Sequence, residues 1–338
     1  MIDLRSDTVT KPSQGMKKAM YDAELGDDCY GDDPTINKLE YEMALLLGKD
    51  KAVFMTSGTQ SNLSAVLSHC GRGEEMIAGF PYHMAQDEAA GASVLGGVAM
   101  TTIAVGNDGA IPEGAIKKAV KPDDIHCPIS KLFCIENTSS GKAIEIQKLK
   151  KNFKEAKELD LNVHLDGARF FNAVESLNCN PKDLADCADS VSICFSKGLG
   201  APAGSILCFT EDMEKKVRRQ RKILGGALRQ AGVIGAACRY ALKNNIERLK
   251  EDRERAQYLA KALNQYHTKA GVKDLENQTN MVFFEPLENQ GKDLVSFLKQ
   301  RGIIISKPQP QTRLVMHLDI SDKILDFFIK SIDEFYAS

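Results

Sequence analysis

From Ala52 onward, short apolar runs alternate with stretches of helical period along the chain. The runs cover 52–55, 75–78, 98–105, 131–136, 162–166 and 190–196. This alternation predicts a parallel sheet with helices on both faces. Between two of the runs, residues 144–161 place Ile146, Leu149, Phe153, Ala156 and Leu159 near a helical period, with lysines on the other side. The segment 204–209, Gly-Ser-Ile-Leu-Cys-Phe, follows its predecessor so closely that the two are expected to pair as a hairpin. The sheet is then mixed.

Upstream, residues 34–47 read as a helix, with Pro34 in the first turn, Ile36, Leu39, Met43 and Leu46 on one face, and Gly48 as the stop. Residues 230–270 form a long helical region, rich in Ala, Arg and Glu, that leads into a second domain. There, strand-like 281–285, helix-like 292–300, strand-like 302–306 and 314–318, and a closing helix from Lys323 predict a small α+β unit. The expected division is a large domain over 1–245, including an N-terminal segment 1–33, and a small C-terminal domain over 246–338.

Composition narrows the function classes. The chain has 338 residues, with 44 Lys+Arg against 46 Asp+Glu, and 43% of its residues are hydrophobic, enough for sizeable cores. With no excess of positive charge, and with Lys and Arg scattered rather than massed, nucleic acid is not expected as a partner. No apolar run approaches the roughly 20 residues needed to span a bilayer, and the N-terminus lacks the basic and apolar regions of a signal peptide, so a cytoplasmic protein without a membrane partner is expected. The nine cysteines include no CxxC pair and lie largely in apolar stretches. Buried free thiols, with neither disulfides nor a metal site, follow.

Three segments carry candidate chemistry. In Ser190-Val-Ser-Ile-Cys-Phe-Ser-Lys197-Gly-Leu-Gly-Ala-Pro, a lysine ends an apolar strand and is followed by very small residues. Such neighbours leave room for a planar ligand where open α/β sheets bind theirs, and a partly desolvated lysine there has the neutral amine that forms an imine with an aldehyde. A lysine in a surface turn is the plain alternative. In Asn162-Val-His-Leu-Asp166-Gly-Ala-Arg169, an aspartate ends the preceding strand. It either caps a helix or pairs with a pyridinium nitrogen and keeps it protonated. In Met55-Thr-Ser57-Gly58-Thr59-Gln-Ser-Asn62, a strand turns into a helix whose first N–H groups and hydroxyls suit a phosphate monoester. Neither GxxxxGK[ST] nor a GxGxxG after a strand is present, which removes the usual nucleotide signatures.

In this order the three segments resemble a pyridoxal-phosphate enzyme of the aspartate-aminotransferase-like fold. The blocks Leu4-Arg-Ser-Asp-Thr-Val-Thr10, Gly26-Asp-Asp-Cys-Tyr-Gly-Asp-Asp-Pro34, His164-Leu-Asp-Gly-Ala-Arg169, Ser196-Lys-Gly-Leu-Gly-Ala-Pro202, Leu224-Gly-Gly-Ala-Leu-Arg-Gln-Ala-Gly232 and His317-Leu-Asp are similar to the low-specificity L-threonine aldolases. The likeness runs over essentially the whole chain. It implies a fold type I large domain with a small C-terminal domain, and pyridoxal 5'-phosphate held by Lys197 and paired at its ring nitrogen with Asp166. Ser57, Gly58 and Thr59 are expected at the phosphate, with Lys222 and Arg229 reaching it from a neighbouring subunit. Ser6, Arg169 and Arg313 are expected to hold the substrate carboxylate, a guanidinium fork fitting it bidentately. Tyr30 is a further candidate at the substrate.

His83 matches the histidine that stacks on the ring and His126 a second one near the substrate hydroxyl, whereas His69, His164, His267 and His317 read as structural or solvated. Two positions depart from the family pattern. Asp87 stands where an aromatic residue is expected, and Glu136-Asn-Thr-Ser139 ends in serine rather than histidine. The reaction implied is cleavage of a β-hydroxy-α-amino acid such as threonine or allo-threonine to glycine and an aldehyde, by a homodimer or homotetramer. Racemisation or β-elimination on the same cofactor, and a non-catalytic binding protein of the same fold, are the alternatives.

Overall fold

A computed structural model of the chain describes residues 1–266, 270–272, 279–287 and 290–337; His267 lies outside the described residues. Its centre is a seven-stranded sheet. Numbered within it along the chain, the strands are β1 (Lys51–Met55), β2 (Glu74–Gly79), β3 (Ala99–Ile103), β4 (Ile129–Glu136), β5 (Asn162–Gly167), β6 (Ser190–Cys194) and β7 (Ser205–Phe209). They lie in the order β1-β7-β6-β5-β4-β2-β3. Neighbours from β6 to β3 are parallel, and β7 runs antiparallel to both β6 and β1. Every residue of β6 and β7 is buried, as expected of continuous apolar runs covered on both faces. The hairpin predicted for 204–209 is there, with Ser190 opposite Phe209 and Cys194 opposite Ser205.

The helix Pro34–Leu47 forms as its sequence signals predict. Asp33 accepts the Thr35 and Ile36 N–H groups at its start, and Gly48 closes it at φ 66°. Leu47 is fully buried and Leu46 only partly, so the apolar stripe ends one residue later than the sequence period suggests.

The single long helical region expected over 230–270 is instead two helices, Gly232–Asn244 and Leu249–Leu263, followed by a strand at Ala270–Val272. At the break, Asn245 donates its side-chain amide to the Leu199 carbonyl at 2.8 Å and ties down the loop after Lys197.

The C-terminal layer is a three-stranded antiparallel sheet of β8 (Ala270–Val272), β9 (Met281–Pro286) and β10 (Thr312–Val315), in the order β10-β9-β8. It shares a second apolar core with the helices Leu249–Leu263, Gly291–Gln300 and Asp322–Ala337. Of the run at 302–306 only Ile303–Ile304 is paired, in parallel with Ile2–Asp3 at the N-terminus. Leu4 is fully buried in that second core, and its carbonyl accepts the Val315 N–H at 2.9 Å. The next residues, Ser6 and Asp7, are thereby delivered to the seam between the C-terminal layer and the ends of the parallel strands, where open α/β sheets place their ligands.

The nine cysteines are free thiols, six of them buried, in line with the sequence reading. Among the described residues, no helix is long and apolar enough to cross a membrane.

Candidate active site

The carboxyl ends of β4, β5 and β6 build one side of the site. Glu136 on β4 is registered with Asp166 on β5, and both are buried. Asp166 Oδ2 accepts the Asn62 side-chain amide at 2.8 Å, and Oδ1 accepts the Ala168 N–H at 2.9 Å. After β2, the short helix His83–Gln86 brings its first residue over this pair. The His83 main-chain N–H donates to Glu136 Oε2 at 2.6 Å, and its ring Nδ1 lies 2.9 Å from Glu88 Oε1. Ligand atoms of His83, Glu88 and Asp166 all fall within 4.8 Å of one another.

Three carboxyls so close together cannot all ionise cheaply. Burial, then the Asp166 charge, push Glu136 up to about 8 despite its bond from His83. Glu88 is raised for the same two reasons, against its bonds to His83 and Asn62. The Glu88 hydrogen bond makes His83 more basic than an ordinary imidazole, outweighing the effect of its burial.

Lys197, half-buried in the loop after β6, lies close enough for its charge to act on His83, Glu136, Cys194 and Asp7. The helix Gly58–His69 starts against the same strand end. Ser57 caps it by accepting the Gln60 N–H at 3.2 Å. A Cβ on Gly58 would stand 2.5 Å from Cys194 Sγ, so only glycine lets the helix start approach the end of β6, which leads into the Lys197 loop.

The opposite side is cationic. Arg169 grips Asp7 with both arms of a fork, Nε to Oδ2 at 2.8 Å and Nη2 to Oδ1 at 2.6 Å, and Asn280 adds a bond at 3.2 Å. Asp7 is completely buried. Burial alone would raise its pKa, but Arg169, Lys197 and Asn280 overcome that and hold it at about 2. Ser6 Oγ lies 3.5 Å from the same carboxylate. Arg313, on β10, donates to the Arg5 carbonyl at 3.4 Å. Burial and then the neighbouring Arg169 charge lower its pKa. Arg169 therefore pairs with a fully ionised aspartate, and Arg313 lies near enough for the charges of both to act on it.

The structure thus brings together Lys197, Asp166, His83, Arg169, Arg313 and Ser6, with Ser57, Gly58 and Thr59 at the adjoining helix start. Asp87 is exposed at the end of the His83 helix, within electrostatic reach of Arg313. Tyr30, Lys222 and Arg229 do not join the cluster. All three are exposed, on the 27–33 and 222–229 segments that meet where the Asp28 N–H donates to the Arg229 carbonyl at 3.0 Å. The latter segment abuts the Gly58 helix, since Gln60 donates to the Leu224 carbonyl at 3.2 Å.

His126 also stands apart. Its ring is exposed and paired with Asp124 at 2.7 Å, because residues 120–128 form a surface loop rather than a strand end. Ser139 is buried in a tight turn closed by its N–H on the Lys142 carbonyl, and a Cβ on Gly109 would come within 2.7 Å of it. A small side chain is what that packing accepts.

Sequence reading missed Asp7, Asn62, Glu88 and Glu136 as members of the site. Asp7 and Glu136 sit inside quoted blocks and Glu88 adjoins Asp87, so the available signal was the charge of residues flanking each assigned position.

The mostly parallel sheet, with a lysine and an aspartate near neighbouring strand ends and two arginines close by, makes this the candidate active site of an α/β protein. The comparisons with known proteins narrow this class. The chain belongs to the beta-eliminating lyase family, whose model matches residues 3–286. It is 46% identical over 321 residues to the low specificity L-threonine aldolase of Escherichia coli (strain K12), covering 95% of each chain. It is 39% identical to the probable low-specificity L-threonine aldolase 2 of Arabidopsis thaliana, covering 100% of this chain and 98% of that one. The Leishmania major threonine aldolase structure superposes with a TM-score of 0.85 over 99% of both chains at 22% identity, a likeness of fold.

Proposed function

We propose that this protein is a pyridoxal-phosphate-dependent L-threonine aldolase, cleaving L-threonine, L-allo-threonine and related β-hydroxy-α-amino acids to glycine and an aldehyde. The observation that carries this reading is the opposition of charges across one cleft. Buried acidic groups beside Lys197 lie near two guanidinium groups, Arg169 paired with Asp7 and Arg313 on the Arg5 carbonyl. An amino acid's carboxylate satisfies the second, and a protonated ring nitrogen the first.

The residues present fit the cofactor. The Gly58 helix start offers N–H groups to a phosphate beside the end of β6, and Asp166 is a buried carboxylate held by two donors. When bound, pyridoxal phosphate supplies an electron-accepting ring for the charge left at Cα as the Cα–Cβ bond breaks. Lys197 holds it covalently through Nζ. Asp166 keeps a proton on the ring nitrogen. Arg169 and Arg313, with Ser6, fix the substrate carboxylate and so choose which bond at Cα is broken. His83, made basic by Glu88, is the histidine placed to hold or pass a proton beside the substrate; His126 is not.

Tyr30, Lys222 and Arg229, exposed beside the phosphate end, are read as serving a neighbouring copy in a homodimer or homotetramer. Nine free thiols support a cytoplasmic location. We divide the chain after Asn245; the break in the helical region there and the seat of Leu4 in the second core support a C-terminal unit that takes in Ile2–Leu4.

The test is borohydride reduction of the cofactor-loaded protein followed by peptide mapping. The cofactor is expected to be fixed on Lys197. Fixation on a different lysine, or none, contradicts the assignment.

A further inference from the structure

Behind Asp166 runs a buried chain of polar groups that the proposed reaction does not use. Asn62 Nδ2 lies 2.8 Å from Asp166 Oδ2 and 2.8 Å from Glu88 Oε1. His164 Nε2 is 3.1 Å from Asn62 Oδ1, and its Nδ1 is 2.8 Å from Ser190 Oγ. Ser190 Oγ in turn is 2.9 Å from His69 Nε2.

The direction of each proton follows from the acceptors at one end. Two carboxyls face the Asn62 amide nitrogen, so it donates both hydrogens and its carbonyl must accept. His164 therefore carries its proton on Nε2 and has a bare Nδ1. The Ser190 hydroxyl donates to that nitrogen, and its oxygen accepts from His69 Nε2–H. Both rings are neutral, because burial pushes His164 down to about 3 and His69 down to about 4. Reversing Asn62 would point a carbonyl oxygen at Asp166 and Glu88, with two buried carboxyls losing their donor.

We propose that His164, Ser190 and His69 are positioning residues that lock the Asn62 amide in the one orientation that donates to Asp166 and Glu88. Through Asn62 they hold the carboxylate that meets the cofactor ring and the acid that orients His83. The inference rests on Asp166 being the partner of the ring nitrogen.

Two measurements test it. In the wild-type apoprotein with 15N-labelled histidine, NMR is expected to show His164 neutral with its proton on Nε2 between pH 5 and 8. A proton on Nδ1, or a charged ring, overturns the proposal, whether or not the cofactor binds. Titration of apoprotein with pyridoxal phosphate then compares two variants. His164→Leu removes the donor to Asn62 and is expected to raise the dissociation constant about tenfold, whereas His164→Gln keeps an N–H there and stays within about threefold of wild type. A His164→Leu protein that binds like wild type, or a His164→Gln protein as weak as His164→Leu, overturns the proposal. If a variant does not fold, the wild-type tautomer decides. Wild type that takes up no pyridoxal phosphate refutes the functional reading instead.

Discussion

Asp7 and Glu136 are both buried carboxyls in the same cleft, yet they end in opposite protonation states. Asp7 meets the Arg169 fork on both oxygens and is held at about 2. Among the described residues Glu136 receives the His83 N–H alone, faces Asp166, and rises to about 8. The difference shows that burial by itself does not set ionisation here; the number and sign of the partners do. It also divides the cleft into an anion-seeking half, Arg169 with Arg313, and a cation-seeking half, Asp166 with Glu88 and Glu136. A ligand that is negative at one end and carries a protonated ring at the other completes both.

The variants that break this division rank by how much they remove. Lys197→Ala takes away the amine between the halves, so turnover and borohydride-fixable cofactor are expected to vanish together while the far-ultraviolet circular dichroism stays native. Asp7→Ala leaves Arg169 buried without its partner, which costs about 3–5 kcal/mol of stability in denaturant unfolding. Arg313→Lys keeps the charge and loses the fork. KM for threonine is expected to rise about tenfold or more with a smaller change in kcat.

Glu136→Gln sharpens the comparison through pH. A carboxyl whose folded pKa is raised keeps its proton in the native state after the unfolded chain has released it. Its contribution is present below the ordinary glutamate value of 4.5 and is lost as the pH climbs toward about 8. Wild-type apoprotein should therefore lose stability over that window more steeply than Glu136→Gln, as read from denaturation midpoints at several pH values; identical slopes would place Glu136 outside the acidic half. Asp7 behaves in the opposite sense, its stabilisation being lost only as the pH falls from about 4 toward 2.

The smallest effect is expected at Asp87, on the rim near Arg313. Asp87→Phe supplies apolar contact worth about 1 kcal/mol, shifting the kcat/KM ratio toward phenylserine over threonine by roughly fivefold. An unchanged ratio would mean that position 87 does not reach the substrate side chain.

Much of this was legible in the residues. The apolar runs of β1–β7, the antiparallel return of β7 and the capped helix Pro34–Leu47 follow local patterns that the tertiary structure reinforces. Lys197 and Asp166 announce themselves by following apolar runs and preceding very small residues, although β6 stops at Cys194 and leaves Lys197 in the loop beyond it; Arg313 is legible only through family likeness. The rest depended on contacts with no local signal. Asp7 finds Arg169 across 162 residues, and Ile2–Asp3 pairs with Ile303–Ile304 over an interval of just two residues. At the helix break, Asn245 meets the Leu199 carbonyl, a contact that no local pattern announces. Histidine identity was likewise no guide. His126, singled out by alignment, is on an exposed loop, while His164 and His69, read as structural or solvated, lie behind Asp166 in the buried network.

The most direct measurement is product analysis with L-threonine and the purified protein loaded with pyridoxal phosphate. Glycine and acetaldehyde in equal amounts, with both lost in Lys197→Ala, are what the two-sided site predicts. Ammonia with a keto acid, or a stereochemically inverted amino acid without aldehyde, would show that the clamp does not direct cleavage to the Cα–Cβ bond and would contradict the account.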